Sequence, residues 1–343
     1  MKPLLILDNH FRTRDELFRP ETYAALTTLC EVHGGAAAPM ARDDVLSLLP
    51  RAAFYGASRP SLTAAEIAGA PHLKATIEVS GAFHDGLDYP ALFERGIEVL
   101  SCSPGFRQSV AEMTLAMMLA AGRGLVEEHC AFSRHAERWL DDRAEGDFSL
   151  YGQRIGFIGY GQIAQETHRL LGPFAPQVMA YDPFLAQDIP GVERTDLDTL
   201  VSQCRVVVVA AVPSDSTRGL LSAELIARLQ PGALVVLISR AWCADFDALI
   251  AAARAGRIRV ATDVYPDAPM AATDPIRAGR NMILSPPRAA AVPGGRQLIG
   301  EMILHDVRAI LEGKPDRHLK PADPDLVRGL VAAQQQMNAM PNT

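Results

Sequence analysis

The most specific chemistry in this chain sits in one short turn. Gly159-Tyr160-Gly161-Gln162-Ile163-Ala164 has the G-x-G-x-x-G/A spacing, directly after the apolar strand Arg154 to Ile158 and at the start of a helical stretch. Such a turn lets a pyrophosphate approach main-chain N–H groups at a helix N-terminus, where a Cβ would collide with it. Ala164 serves in the third place, because that position only lets the helix lie close to its strand. A second strand, Gln177 to Tyr181, ends on Asp182, placed where a carboxylate accepts hydrogen bonds from an adenosine ribose. The same charge would repel a 2′-phosphate, and Pro183-Phe184-Leu185 offers no cation to hold one. These residues predict a dinucleotide site that prefers NAD to NADP.

The elements that must position this turn read as alternating strands and helices. The helix after the turn runs to Leu171, with Gly172-Pro173 expected to cap and stop it. Apolar runs at Val206 to Ala210, Leu234 to Ile238, Val260 to Asp263 and Met282 to Leu284 predict further strands. Asp196, Ser222 and Asp245 stand as N-caps of the helices between them. Before the turn lies another α/β unit, with strands at 4–8, 52–55, 73–79 and 97–100 and helices at 43–49 and 63–68. It has no glycine-rich phosphate turn. Its strand ends carry Asp8-Asn9-His10, Ser58-Arg59 and Ser80 through Asp85, and ligands of open parallel sheets gather at those ends.

Between the two units, Ser109 onward shows long helical periodicity, followed by a second helix to about Trp139. Its Met and Leu stripe is read as packing or as a subunit contact. A last helix is expected from Gly295 to Leu311, and the final residues, ending QQQMNAMPNT, read as a frayed tail.

Composition bounds the function classes. The 343 residues are 48% apolar and 21% charged, which describes an ordinary globular chain of about two domains. A net charge of −7 without a basic block argues against nucleic acid and anionic membranes as partners. Cys30, Cys102, Cys130, Cys204 and Cys243 are scattered and odd in number, which predicts reduced thiols in a cytoplasmic protein. The first residues have too short an apolar run for a signal peptide, and no run is long enough for a membrane span.

Taken in order, the motifs resemble those of the D-isomer-specific 2-hydroxyacid dehydrogenase family. The nucleotide turn corresponds to GYGQIA, the domain-linking helix to Ser109-Val110-Ala111-Glu112, the Asn-x-x-Arg-Gly strand end to Leu237-Ile238-Ser239-Arg240-Ala241, and the Asp-Val-Phe stretch to Asp263-Val264-Tyr265. The resemblance implies an α/β fold of two doubly wound parallel-sheet domains, a Rossmann NAD-binding domain (106–289) inserted in a flavodoxin-like substrate domain (1–105 plus 290–320), with 321–343 as a tail. It implies hydride transfer between C2 of a small 2-hydroxy or 2-keto acid and the nicotinamide of NAD. It further implies pairing of two copies through residues 109–139.

That chemistry needs a cation for the substrate carboxylate, a histidine for the proton on the C2 oxygen, and a carboxylate to orient the histidine. Arg240 fits the first role, since a planar guanidinium grips both oxygens in a fixed orientation. The other two are missing. Ala268 stands in the carboxylate slot and Pro287 in the histidine slot, and residues 241–300 contain neither His nor Glu. Asp267 lies next to the slot with no imidazole to orient.

The substrate loop departs from the family as well. Ala82 and Phe83 replace a small residue and Gly, so Phe83 is expected to narrow or reshape the pocket, and Ala241-Trp242 follows the arginine. Arg288, beside the lost histidine, reads either as a second anion clamp or as a structural pairing, its pKa being too high for proton transfer. His84 is the nearest spare imidazole, with a plain, partly exposed histidine as the alternative; His10 and Tyr265 are weaker candidates, and His305 reads as solvated or capping. The resemblance places Asp263 at the nicotinamide carboxamide, where an ordinary turn aspartate is the competing reading, with Ile238 and Ser239 beside it. Thr217 and Val212-Pro213 match the second wall of the cofactor site.

Two functions follow from this pattern. One is an NAD-dependent oxidoreductase acting on a small acid held by Arg240, its proton passing through a water, through His84 or through the substrate itself. The other is a catalytically silent NAD(H)-binding protein that acts through a partner. A cofactor-free binding module conflicts with Gly159 to Asp182.

Overall fold

A computed structural model describes residues 2–329 except 9–11, 36–37, 82, 138, 140–145, 186–187, 212–216, 268 and 326. Two compact units divide the chain: one holds Met1–Phe106 with the chain from Val292 onward, the other Arg107–Ala291.

The first unit is built on strands β1 (Leu4–Asp8), β2 (Glu31–Gly34), β3 (Ala52–Ala57), β4 (Ala75–Glu78) and β5 (Glu98–Ser101). They form a parallel sheet in the order β5-β4-β3-β1-β2, the flavodoxin-like arrangement. β1 and β3 are buried along nearly their whole length, as strands covered on both faces must be. Three of the helices between them, Arg14–Leu17, Ala64–Ala68 and Tyr89–Glu94, start on side chains that satisfy free N–H groups of their first turns. Thr13 with Glu16 and Thr63 with Glu66 are reciprocal capping boxes, and the carboxylate of Asp88 accepts from Ala91 N–H. Helix Gln297–Leu311 belongs to this unit, with Ile299, Met302, Ile303 and Val307 in its core.

The second unit holds β6 (Arg154–Ile158), β7 (Gln177–Tyr181), β8 (Val192–Arg194), β9 (Val206–Val209), β10 (Leu234–Leu237), β11 (Arg259–Thr262) and β12 (Met282–Leu284). All seven are parallel, in the order β12-β11-β10-β9-β6-β7-β8. Counted from β6, this is the doubly wound order with its reversal between β6 and β9. Four consecutive valines make β9, all fully buried, because a central strand has no polar face to offer. Asp196, Ser222 and Asp245 each accept a backbone N–H at a helix start, as expected from their positions.

Several boundaries differ from the sequence reading. Helix Gln162–Leu171 ends where expected, with Gly172 as its C-cap, but Gly172 stays right-handed and opens a 3-10 turn to Phe174, and the left-handed residue is Ala175, at φ 46°. The second linking helix stops at Phe132 rather than near Trp139, since the chain turns there and His135 takes φ 55°. After the last helix, Lys320–Pro321 forms β13, antiparallel to β5, and Val327 is buried, so the expected tail begins with packed residues. All five cysteines are free, and only Cys130 is exposed. Among the described residues no single helix is long and apolar enough to cross a membrane.

Candidate active site

At the carboxyl end of β6 the backbone takes φ +85° at Gly159, whose N–H donates to Tyr181 O at 2.8 Å. A Cβ there would lie 2.5 Å from Ala211 Cα, so only glycine fits. Gly161, the N-cap of helix Gln162–Leu171, is ordinary extended backbone. A Cβ at this position would meet nothing within 4 Å, and no side chain caps the helix. Open space therefore lies in front of N–H groups at the positive end of a helix dipole, which suits an anion.

The Asp182 carboxylate is held against this turn, accepting Tyr160 N–H at 2.8 Å through one oxygen and Phe184 N–H at 2.9 Å through the other. Tyr160 contributes its main chain only. Its ring is 3% exposed and set edge-on to Phe157, and its hydroxyl lies 2.6 Å from His168 Nδ1. Burial pushes the Tyr160 hydroxyl up to about 12 and His168 below its ordinary value.

Beyond β10, Ile238 is buried, and the Ser239 hydroxyl is buried with no hydrogen-bond partner among the described residues. Arg240 is exposed on extended backbone, Nη1 donating to Ser239 O at 2.8 Å. Trp242 is occupied elsewhere: the Arg218 guanidinium lies over its ring at 4.6 Å.

Asp263, directly after β11, is 4% exposed and accepts Ala289 N–H at 3.0 Å. Burial raises its carboxyl above the ordinary range, opposed by the N–H groups of Ala289 and Arg288 and by the charge of Arg240. Arg240, Asp263 and the Arg288 backbone thus come together, while the Pro287 and Arg288 side chains are exposed. Tyr265 is committed to structure, its hydroxyl donating to Ser285 O at 2.9 Å and held near a pKa of about 12 by burial. Thr217 is half-buried in a short turn. Val212, Pro213, Ala82, Ala268 and His10 lie outside the described residues.

The first unit contains a group that the sequence reading missed. Glu78, the last residue of β4, is 1% exposed and accepts from Ser80 N–H, from Gly81 N–H at 2.8 and 2.9 Å, and from Ser101 Oγ at 2.9 Å. His84 Nε2 lies 2.8 Å from Ser80 Oγ and 3.8 Å from Glu78 Oε1, and Tyr89 OH fixes the loop by donating to His84 O at 2.7 Å. His84 is thus a partly exposed imidazole, hydrogen-bonded to Ser80 and 3.8 Å from a buried acid. Charged residues inside apolar strands are rare unless paired, so the glutamate in ATIEV was the available signal. Phe83 is partly buried and packs against this unit's core.

The family model for the NAD-binding domain of D-isomer specific 2-hydroxyacid dehydrogenases matches residues 115–289. A crystal structure of a phosphoglycerate oxidoreductase from Rhizobium etli superposes with a TM-score of 0.83 at 31% identity, covering 94% of this chain and 99% of that one. Similar curated proteins include D-3-phosphoglycerate dehydrogenase of Mycobacterium bovis, 29% identical over 86% of this chain and 56% of the relative. Another is the glyoxylate reductase of Thermofilum pendens, 28% identical over 82% and 85%. The chain spans about half the length of the phosphoglycerate dehydrogenases it matches. By the family match and the Rhizobium likeness together, this chain belongs to the D-isomer specific 2-hydroxyacid dehydrogenase family.

Proposed function

We propose that the protein is an NAD-dependent oxidoreductase that interconverts a small 2-hydroxy acid and its 2-keto acid, with a proton relay unlike that of its relatives. The observation that carries this reading is the pairing of an open, glycine-lined helix end with a fixed carboxylate at Asp182. The N–H groups that follow Gly161 would hold the pyrophosphate and Asp182 the ribose, with Gln162, Ile163, Thr217, Val212 and Pro213 forming the walls. Ser239 and Asp263 would face the nicotinamide end. When bound, NAD supplies or accepts the hydride.

The chain's own residues do the rest. Arg240 holds the substrate carboxylate in two parallel hydrogen bonds and draws charge from the C2 carbonyl. Arg288 offers a second positive charge. For the missing proton relay the chain offers a water, the substrate itself, or His84 with Ser80 and Glu78 about it. With Nε2 donating to Ser80 Oγ, His84 keeps Nδ1 for proton exchange.

Two copies would pair through residues 109–139, where Leu125, Val126, Phe132 and Trp139 are exposed apolar side chains. The second reading, a silent NAD(H)-binding protein, is favoured by one observation: Pro287 occupies the histidine slot and 241–300 holds no His or Glu. Assaying the purified chain with NADH against a panel of 2-keto acids separates the two. NADH oxidation with at least one acid is expected; tight NADH binding without turnover on any would leave the silent reading.

A further inference from the structure

Away from the candidate active site, two histidines and an aspartate meet at the end of helix Gln297–Leu311. His305 Nε2 lies 3.3 Å from Asp316 Oδ2, His318 Nε2 lies 3.9 Å from the same oxygen, and the three ligand atoms all lie within 4.8 Å of one another. We propose that His305, Asp316 and His318 form a binding site for one late first-row divalent cation, with Zn²⁺ as the ion that fits best.

Three observations carry this. First, ligands about 2.0–2.1 Å from a tetrahedral zinc stand roughly 3.4 Å apart, so the His305–Asp316 spacing already matches and the His318 spacing is slightly open. Second, Asp306, fully buried, accepts His305 Nδ1 at 2.9 Å, which fixes that imidazole with Nε2 toward Asp316. A carboxylate behind a ligating imidazole is the arrangement that orients zinc-binding histidines.

Third, the backbone carrying the other two ligands is tied down. Asp306 also accepts His318 N–H and Leu319 N–H at 2.8 and 2.9 Å, and Arg317, between Asp316 and His318, makes a bidentate pair with Glu98 at 2.7 and 2.6 Å. Only side-chain rotation is left to complete the site. The two imidazoles stack with centroids 3.5 Å apart and planes 3° apart, and an imidazole binds a metal in its own ring plane. His318, half-exposed, is the ring that must swing out of the stack.

The donor set is nitrogen and oxygen without thiolate, which suits Zn²⁺, Ni²⁺ or Cu²⁺ better than Mg²⁺ or Ca²⁺. A water would take the fourth position. Because the ligands join the helix to the segment that leads into β13, the bound ion clamps that segment to its unit.

The test is titration of chelator-treated, full-length protein with Zn²⁺ by calorimetry, and with Co²⁺ followed by visible absorption. One ion per chain is expected, with the intense spectrum of four-coordinate Co²⁺ and a raised melting temperature in Zn²⁺. His318→Ala and His305→Ala should each weaken binding at least about tenfold, whereas Cys130→Ser, which removes the exposed thiol, should leave it unchanged. Absence of saturable binding, retention of full affinity in both histidine variants, or loss of binding in Cys130→Ser would each overturn the proposal. His318 is half-exposed, so its variant folds and keeps the test decisive.

Discussion

Glu78 Oε1 stands 3.8 Å from His84 Nε2, with Ser80 Oγ 2.8 Å from the same nitrogen. An acid and an imidazole are therefore tied to one serine at the end of a buried strand, the carboxylate by its N–H and the imidazole by its hydroxyl. His84→Asn should lower kcat by about 10²–10⁴-fold, the usual range for a general acid–base group. Glu78→Gln should change the pH profile of kcat more than KM. Steady-state kinetics between pH 5 and 9 read both effects, and an unchanged profile in His84→Asn would assign the proton to water or to the substrate.

The two glycines of the nucleotide turn should separate folding from binding. At Gly159, alanine combines a φ of +85° with a collision against Ala211, at roughly 1–3 kcal/mol for strain and a similar amount for overpacking. Gly161→Ala has open space and an ordinary φ, so stability should fall by no more than about 1 kcal/mol. NADH affinity, followed by fluorescence, should nonetheless drop at least about tenfold for Gly161→Ala, since the methyl group takes the room offered to a pyrophosphate. Equal losses of stability in the two variants would contradict this division.

Asp182 should decide between NAD and NADP. Asp182→Asn removes the charge that opposes a 2′-phosphate but keeps an acceptor for Tyr160 N–H. The ratio of NADH to NADPH affinity should shift toward NADPH by about tenfold or more, on the scale of one short-range charge interaction. If both affinities fall in parallel, the carboxylate acts only by supporting the turn.

Asp263 makes a pH prediction whose sign is opposite to the usual carboxylate. Its folded pKa is raised, mainly by burial, so the native state keeps its proton to higher pH than the unfolded chain. The group's contribution is complete below the unfolded value of about 3.9, declines as pH rises, and is fully lost above the folded value. Asp263→Asn carries no charge at either end of this window. Urea midpoints at pH 3.5 and pH 7 should therefore show the variant gaining on wild type at the higher pH, and a constant difference would mean that the carboxylate is not strained by burial.

Much of this architecture was legible in the residues. Both doubly wound sheets are present, because buried parallel strands read as apolar runs such as Val206 to Val209. The three N-caps were visible because Asp, Ser and Asp precede apolar periodicity. Strands β2, β8 and β13 were not visible, since EVHG, VER and KP are short, polar edge segments whose pairing is decided by neighbours distant in sequence. Glu78 was hidden for a related reason. Its donors come from Ser80, Gly81 and Ser101, and only the closing of β4 against β5 brings the last of these to it. The inward turn of Tyr160 likewise depends on Phe157 and His168, which period alone does not pair.

The short strand β13 bears on solubility. Lys320 and Pro321 lie along β5, at the margin of the first unit's sheet. A proline has no N–H to offer an incoming strand and a lysine brings charge, so this rim resists being extended by another chain. Shortening the protein to end before Lys320 would uncover the backbone of Leu100 and Ser101, leaving a sticky border where a guarded one had been.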